Sequence, residues 1–373
     1  PNPDLRAYFG RVVEGQPDEY RTPFYRGKSV EDVLKGWDKT LRKIQSQWPS
    51  LYEFEMDLRS KVGPMSIMKP LKDRLEDIDH YYDLISGDHD LISEKALNSV
   101  IKRWLPMGGS VTMKGQLSTL QEMKLNTNSG LPYFQRRGRV VDKTMPVKLT
   151  YHSSDTGSCT QILGPDSSSF DTAAILGWRG QEGGPNRDDV KQRVVWMFPF
   201  AVNIEELRVY QPLIAYAQRH NIVPAWVSME AVDAEITKLF DTKAKDDLIV
   251  CTDFSKFDQH FNSALQEGAY YLLDCIMRPS ADFDYWLENV FPIKYSIPLA
   301  YNWESIRMGK HGMASGSGGT NADETLVHMA LQYEAAQTSG TQLNPHSQCL
   351  GDDGILSYPG ITVDDVVDSY TRH

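Results

Sequence analysis

Two short apolar segments, far apart in the chain, each lead directly into carboxylates. Residues 248–251 form an apolar run typical of a buried strand, and Asp253 follows them. Farther along, the apolar pairs 349–350 and 355–356 flank residues 351–354, whose sequence Gly-Asp-Asp-Gly predicts a tight β-hairpin. Taken singly, each pattern also fits a helix cap or an ordinary turn. Together they predict carboxylates at the end of one strand and at the tip of a hairpin.

Carboxylates on converging strands can serve one particular chemistry. Such a pair of clusters can hold two divalent cations about 3.5–4 Å apart, as in phosphoryl transfer. Mg²⁺ prefers carboxylate oxygens, keeps several waters and needs no histidine ligand. The pattern therefore favours two Mg²⁺ ions.

A glycine-rich loop lies between the two acidic segments. Residues 315–321, Ser-Gly-Ser-Gly-Gly-Thr-Asn, lead into a helix with an apolar face. The loop can offer backbone N–H groups and hydroxyls to a phosphate, ribose or base, or it can be a hinge capped by Thr320 or Asn321. No P-loop and no complete dinucleotide fingerprint occurs in the chain, so ATPase and dehydrogenase activities are disfavoured.

The composition sets the class of protein. The 373 residues are 40% hydrophobic and 24% charged, which is typical of a globular chain with two or three structural units. The net charge of -11 is the opposite of what a simple nucleic-acid-binding domain carries. Any nucleic acid must therefore bind in a locally basic channel. Arginines and lysines cluster within residues 126–199, which we predict to be loops.

Cysteines and apolar runs bear on location. The four cysteines form no C-x-x-C pair, so we expect neither a zinc site nor a disulfide framework and favour a reducing compartment. The longest apolar run, residues 194–202, is shorter than the roughly 18 residues that span a bilayer. We expect no signal peptide and no membrane partner.

Hydrophobic spacing predicts an α+β architecture without internal repeats. An S-x-x-D signal at Ser29 and a stop at Pro49 frame an amphipathic helix, and the remaining predicted elements follow it along the chain. These are helices at 93–105, 228–240, 262–277 and 321–337, a strand at 247–253 and a hairpin at 348–358.

The three acidic and glycine-rich segments resemble motifs A, B and C of viral RNA-dependent RNA polymerases, in that order. The strings are DFSKFDQHFN from Asp253, SGSGGTNADETLVHMALQ from Ser315 and LGDDG from 350. Within the family they are most similar to the sequences of picobirnaviruses, which have double-stranded RNA genomes. Residues 191–193 followed by two valines resemble motif F, and residues 129–132 resemble motif G.

The resemblance implies a right-hand fold in which an antiparallel palm sheet is flanked by helices. Residues 1–110 would be an N-terminal, fingers-associated helical region, and 111–228 the fingers. Residues 229–373 would be the palm, interrupted by a fingers segment at about 278–310. Only residues 354–373 follow motif C, so we expect the thumb to be absent and the chain to be a truncated enzyme.

The resemblance also implies roles for individual residues. Asp253 and Asp352 would bridge two Mg²⁺ ions, with Asp353 beside them and the Phe254 carbonyl assisting; Mn²⁺ would be a substitute. The expected nucleotide-binding residues are Lys191 and Arg193 at the triphosphate, and Asp258, Ser315, Thr320 and Asn321 at the ribose. The expected template-binding residues are Ser129, Gly130, Pro132 and Gly316.

The implied function is RNA-templated RNA synthesis that replicates and transcribes a double-stranded RNA viral genome. The partners would be the RNA template and product, nucleoside triphosphates and a capsid protein, and the location the virion interior or the host cytoplasm. One departure concerns motif B, where the family pattern places asparagine at position 324 and this chain has Glu324. Asn321 is our candidate to substitute for it.

Three alternatives stay open at this point. A reverse transcriptase is disfavoured because that family has an aromatic residue where this chain has Asp258. A non-catalytic RNA-binding or virion fragment would explain a missing thumb. A glycosyltransferase could use the D-x-D spacings at 77–79 or 282–284, although such spacings are common.

Overall fold

The structure is a computed structural model that describes residues 3–17, 27–154 and 157–373. Its α-helices are α1 Pro3–Glu14, α2 Val30–Leu41, α3 Pro49–Leu58, α4 Leu75–Asp83, α5 Glu94–Trp104, α6 Gln116–Gln121, α7 Val141–Thr144, α8 Phe200–Arg219, α9 Met229–Thr242, α10 Phe257–His260, α11 Ser263–Ile276, α12 Ala281–Asn289, α13 Thr320–Thr338 and α14 Val363–Tyr370.

The strands form three sheets. They are β1 Lys148–His152, β2 Cys159–Leu163, β3 Ser169–Asp171, β4 Ala174–Gln181, β5 Lys191–Met197, β6 Val250–Thr252, β7 Leu299–Asn302, β8 Ser305–Arg307, β9 Gln348–Leu350 and β10 Asp353–Leu356. The strand orders are β1-β2-β3, β5-β4-β7-β8 and β6-β10-β9. Helices and sheets are thus mixed, as the α+β prediction required.

The chain divides into two compact units, and the first contains residues 1–78, 176–195 and 300–306. Within this unit, the loop at 66–69 is tied to the sheet. The N–H of Ser66 donates to the carbonyl of Gly180 at 3.1 Å, and the Gln192 amide accepts from the N–H of Lys69 at 3.1 Å. These bonds satisfy the backbone N–H groups of Ser66 and Lys69 in the loop and the carbonyl of Gly180 in β4.

The second unit contains residues 79–175, 196–299 and 307–373, and α13 is its central helix. Fourteen of the nineteen residues of α13 are buried, on all sides of the helix. A helix that is apolar or buried all round belongs in the middle of a core rather than at its surface. The helix packs against α5, α11, α14 and β9.

The sheet β6-β10-β9 is antiparallel, and its register brings the two acidic segments together. Gly354 is opposite Thr252 on one side, and Asp353 is opposite Leu350 on the other. Because Asp253 directly follows β6 and Asp352 directly precedes β10, the register alone places their backbones at one end of the sheet. Apolar side chains of β6, β10, α13 and α14 cover one face.

Two predictions about secondary structure were wrong in part. The helix expected to reach Trp48 ends at Leu41, because the N–H of Ile44 turns to the carbonyl of Leu41 in an i→i+3 bond of 3.0 Å. Pro49 begins α3 rather than ending a helix, which suits its missing N–H. The Ser29 cap is confirmed, since its hydroxyl accepts from the N–H of Asp32 at 3.1 Å.

Residues 126–199 contain β1 to β5 and are therefore not the loops that we predicted. The strands are short, and serine and glycine at their ends dominate the composition. The signal that could have revealed them is alternation: Leu149 and Ile162 face each other in the β1-β2 ladder and are both buried. The other predicted elements lie close to the expected positions. No helix among the described residues is long and apolar enough to cross a membrane.

We predict that Gly354→Ala destabilises the hairpin sheet. A Cβ at this position would lie 2.6 Å from Thr252 Oγ1 and 2.7 Å from His328 Cε1, so the surroundings must shift. Overpacking of this kind costs about 1–3 kcal/mol of unfolding free energy, which urea denaturation measures.

The matched control is Gly36→Ala in the interior of α2, where no described atom would lie within 4 Å of the new Cβ. This variant should gain roughly 0.5–1 kcal/mol, because alanine loses less backbone entropy in a helix. An unchanged urea midpoint for Gly354→Ala would contradict the packing argument.

Candidate functional site

Three aspartates converge at one end of the sheet β6-β10-β9. Asp253, Asp352 and Asp353 each offer a carboxylate oxygen, and these three oxygens lie within 4.8 Å of one another. Asp253 and Asp353 are exposed, and Asp352 is half-buried. The predicted carboxylate cluster is therefore present in the structure.

The cluster is electrostatically unfavourable without a cation. Burial raises the pKa of Asp352, and the negative charges of Asp353 and Asp253 raise that pKa further. Three all-oxygen donors of like charge, open to solvent on one side, suit a hard divalent cation that keeps part of its water shell. The donor set thus fits Mg²⁺ or Mn²⁺ at Asp253, Asp352 and Asp353.

Helix α13 holds the acidic hairpin through one of its faces. Thr325 Oγ1 accepts from the N–H of Gly351 at 2.9 Å, and the Gln332 amide donates to the carbonyl of Gln348 at 3.0 Å. Between them, His328 Nδ1 lies 2.8 Å from the carbonyl of Gly351. Positions 325, 328 and 332 share one side of α13. This one helix therefore fixes the position of the hairpin.

His328 is a structural histidine in this arrangement. It is fully buried, and burial lowers its pKa to about 4, so the ring is neutral near pH 7. Because a carbonyl oxygen only accepts hydrogen bonds, Nδ1 must be the protonated ring nitrogen and donate to the carbonyl of Gly351. The rings of Phe254 and Tyr370 meet the imidazole edge-on at 5.0 and 5.7 Å. Phe254, next to Asp253, is thereby held against His328 of α13.

Glu324 lies beside Gly351, at the start of the acidic hairpin. It is 6% exposed, and burial raises its pKa well above the usual value, with a hydrogen bond to Asp258 and the charge of Asp258 adding to the shift. Asp258 itself is half-buried on α10. Glu324 Oε1 has no hydrogen-bond partner among the described residues. A carboxyl therefore stands where the family pattern has an amide, in contact with the residue expected to sense the ribose.

The glycine-rich loop before α13 is bound to α8. The Asn203 amide donates to the carbonyl of Gly316 at 3.2 Å and to Glu206 Oε1 at 3.0 Å. Glu206 also accepts from the N–H of Gly318 at 3.1 Å and from the Ser317 hydroxyl. Two residues one turn apart on α8 thus position three consecutive loop residues.

Close approach explains the glycines of this loop. A Cβ on Gly316 would lie 1.6 Å from the carbonyl oxygen of Trp196, and one on Gly319 would lie 2.3 Å from the ring of Tyr210. The Ser315 hydroxyl accepts from the N–H of Trp196 at 3.3 Å. The glycines are therefore required for packing against neighbouring backbone and rings, whatever else the loop binds.

A buried ion network lies under the loop. Lys294 Nζ is 3.0 Å from Oδ2 of Asp323, and neither side chain is exposed. The Asp323 carboxylate also accepts from the hydroxyls of Tyr210 and Tyr295 at 2.7 and 2.6 Å. Burial raises the pKa of Glu206 and lowers that of Lys294, while the charge of each opposes the shift of the other. The cost of burying these charges is offset because the charges are paired and the carboxylate oxygens accept hydrogen bonds.

The remaining residues predicted for the nucleotide are spread over both units. The Thr320 hydroxyl donates to the carbonyl of Ala314 at 3.0 Å, and Asn321 Oδ1 accepts from the indole N–H of Trp226 at 2.7 Å. Lys191 and Arg193 lie exposed on β5 in the first unit, and Arg193 donates to Gln181 within that unit. Their predicted role at the triphosphate stays a prediction.

Three of the four residues predicted for the template, Ser129, Gly130 and Pro132, form a tight turn in the second unit. Ser129 is 1% exposed, and its hydroxyl accepts from the N–H of Gln135 at 3.1 Å. Gly130 has φ +61°, which favours glycine, and Pro132 is exposed. Pro132 is thus the exposed residue of this turn, and template binding here stays a prediction.

Sequence reasoning missed Glu206, Lys294 and His328 as supports of the site. A weak signal exists for Lys294, a single charge inside the apolar stretch 290–299, and for Glu206, which closely follows the apolar run 194–202. Charges in such positions are buried and paired when the segment folds into a core. Their partners lie elsewhere in the chain, so the pairing itself was not readable.

Comparison with known proteins agrees with the motifs. The family model described as viral RNA-dependent RNA polymerase matches residues 16–368. A potential RNA-dependent RNA polymerase of a human picobirnavirus is 58% identical over all 373 residues, which is 100% of this chain and 68% of that protein.

Solved structures give the same result. The crystal structure of an insertion-loop deletion mutant of the RNA-dependent RNA polymerase of a human picobirnavirus matches with a TM-score of 0.95 and 58% identity, covering 100% of this chain and 72% of that one. A sicinivirus RNA-dependent RNA polymerase matches with a TM-score of 0.52 and 14% identity, covering 79% of this chain and 64% of that one. The sicinivirus match supports the fold alone.

We predict that Lys294→Met lowers the unfolding free energy by about 3–5 kcal/mol, because it leaves the buried Asp323 carboxylate without its cation. Urea denaturation would measure the loss. Lys238→Met is the matched control, since Lys238 pairs with Glu235 at the surface and is 57% exposed; its loss should stay within about 0.5 kcal/mol.

The variant Lys294→Met/Asp323→Asn separates a lost charge pair from a lost side chain. Coupled residues should give a double variant that is less destabilised than the sum of the two single variants. If the losses of unfolding free energy in the two single variants add up to the loss in the double variant, the pairing is contradicted.

Proposed function

The chain belongs to the viral RNA-dependent RNA polymerase family and is an RNA-directed RNA polymerase, and we propose that it joins nucleotides with two divalent cations held by Asp253, Asp352 and Asp353. The observation that carries the proposal is the convergence of these three carboxylates at the end of one sheet. Phe254 would add its backbone carbonyl. Mg²⁺ is the proposed ion, and Mn²⁺ its substitute.

The cations, held by Asp253, Asp352 and Asp353, would supply positive charge that favours ionisation of a primer 3′-hydroxyl and stabilises the charge of the triphosphate. The protein's own contribution is positional. Asp352 and Asp353 are set by the hairpin, and the hairpin is set by Thr325 and His328 of α13. A site whose ligands are fixed before substrate arrives needs little reorganisation during the reaction.

We assign recognition of the sugar to Asp258, helped by Ser315, Thr320 or Asn321. A carboxylate accepts a hydrogen bond from a ribose 2′-hydroxyl, which deoxyribose cannot supply. The half-buried position of Asp258 and its contact with Glu324 support the assignment, because a carboxylate held in place discriminates better than a mobile one.

The other assignments rest on the motifs alone. We propose that Lys191 and Arg193 bind the triphosphate and that Ser129, Gly130, Pro132 and Gly316 lie along the template. We also keep the division into an N-terminal region, fingers and palm at residues 110 and 228. Replication of a double-stranded RNA genome inside a virion or the host cytoplasm, with a capsid protein as partner, is the biological setting that we propose.

We predict that Asp352→Asn lowers RNA-templated incorporation of labelled nucleotide by at least about 10³-fold in Mg²⁺ or Mn²⁺, because metal-borne charge stabilisation worth several kcal/mol is lost. Asp368→Asn is the control. Asp368 is an exposed aspartate on α14 and should keep its activity within about two-fold, as surface substitutions usually do.

Equal incorporation by Asp352→Asn and the wild-type protein would contradict the catalytic assignment. Salt-sensitive RNA binding without incorporation by the wild-type protein would favour the non-catalytic RNA-binding alternative instead.

We predict that Asp258→Ala reduces the preference for ribonucleotides over deoxyribonucleotides by about ten-fold, because one hydrogen bond to a charged acceptor is worth about 1.5–3 kcal/mol. The measurement is kcat/KM for rNTP and dNTP with the same primer and template. A ratio unchanged from wild type would show that Asp258 does not sense the 2′-hydroxyl.

A further inference from the structure

We propose that Trp226 is a positioning residue for ribose recognition: its indole N–H orients the Asn321 side chain so that the amide nitrogen faces the catalytic hairpin. The inference deepens the proposed function and rests on it, because Asn321 serves a ribose only if a nucleotide binds beside the neighbouring carboxylates. Neither the motifs nor the family pattern points to Trp226.

The orientation of the amide follows from hydrogen-bond chemistry. Trp226 Nε1 lies 2.7 Å from Asn321 Oδ1. An indole N–H only donates, whereas a primary amide accepts through oxygen and donates through nitrogen. The oxygen must therefore face Trp226, and the nitrogen must point away from it. The hydrogen bond from Trp226 therefore selects one of the two orientations of the Asn321 amide, which differ by exchange of its oxygen and nitrogen.

The amide nitrogen points at the catalytic turn. Asn321 Nδ2 would be 3.5 Å from a Cβ placed on Gly351, the residue immediately before Asp352. Glu324 Oε2 would be 3.8 Å from the same point. Asn321 and Glu324 are one turn apart on α13 and so share a face of the helix. An N–H donor and a carboxyl thus flank the start of the acidic hairpin together.

This placement completes the recognition of a hydroxyl. A ribose 2′-hydroxyl has one proton to give and lone pairs that accept. Asp258, in contact with Glu324, is the proposed acceptor of that proton, and the Asn321 amide nitrogen is the matching donor to the oxygen. A flipped amide would present a second acceptor instead, and the hydroxyl could not satisfy both. Deoxyribose could engage neither group.

Trp226 is itself held firmly enough to act in this way. It ends the 3-10 helix Pro224–Trp226, and its carbonyl accepts from the Gln218 amide at 2.8 Å. Its ring meets the fully buried ring of Trp104 edge-on at 6.5 Å. The ring of Trp226 is half-buried, and its packing against Trp104 limits the directions that its N–H can take.

The test is Trp226→Phe, which keeps an aromatic ring for Trp104 and removes the N–H. We expect the ratio of kcat/KM for rNTP to that for dNTP to fall about five-fold, the usual worth of one hydrogen bond, through a higher KM for rNTP at unchanged kcat. Asn321→Ala should give a similar fall. The double variant should be no worse than Asn321→Ala, since both changes remove one interaction.

Trp48→Phe is the matched control, because it makes the same substitution at a tryptophan that is 62% exposed. It should leave the ratio unchanged. A Trp226→Phe protein that loses stability but keeps the wild-type ratio would overturn the inference, as would additive effects of Trp226→Phe and Asn321→Ala.

A second measurement separates this inference from the proposed function. If the wild-type protein incorporates no nucleotide, the proposed function fails, and equilibrium binding of GTP and dGTP in Mg²⁺ decides the inference. A preference for GTP that Trp226→Phe abolishes would support it. Equal binding of GTP and dGTP by the wild-type protein would overturn it.

Discussion

The buried ion pair between Lys294 and Asp323 is the interaction on which the rest of the site depends. Lys294 pairs with Asp323 at the start of α13, and the neighbouring Glu206 on α8 holds the glycine-rich loop. Charges so deep in a core are tolerated only when each has partners, so α8, α13 and the segment around Lys294 must fold together. The pairing thereby sets where α13 begins.

Once α13 is placed, it positions both the glycine-rich loop and the acidic hairpin. Its first turn carries Asn321 and Glu324 beside the acidic turn, and the next two turns hold the hairpin through Thr325, His328 and Gln332. The same helix ends the glycine-rich loop. A shift of α13 would move the loop and the carboxylates in concert, which is a reason for its nearly complete burial.

Much of this was predictable because local patterns and spacing carry it. The strand before Asp253, the hairpin at Asp352, and the helices near 228–240, 262–277 and 321–337 follow from periodicity and turn residues, and the structure has them. The strands within 148–197 were missed because short ladders interrupted by serine and glycine look like loops in composition. The early end of α2 at Leu41 was missed because an apolar spacing continued beyond the helix.

The sequence by itself determined which chemistry the chain can perform, since carboxylates at a strand end and a hairpin tip are local features whose order identified the family. Only the tertiary structure decided how those groups are held. The pairing of Lys294 with Asp323, the bond of the neutral His328 to Gly351 and the contact of Trp226 with Asn321 join residues 23 to 95 positions apart. A buried polar group needs a partner, but burial and geometry choose which one, and both exist only in the folded chain.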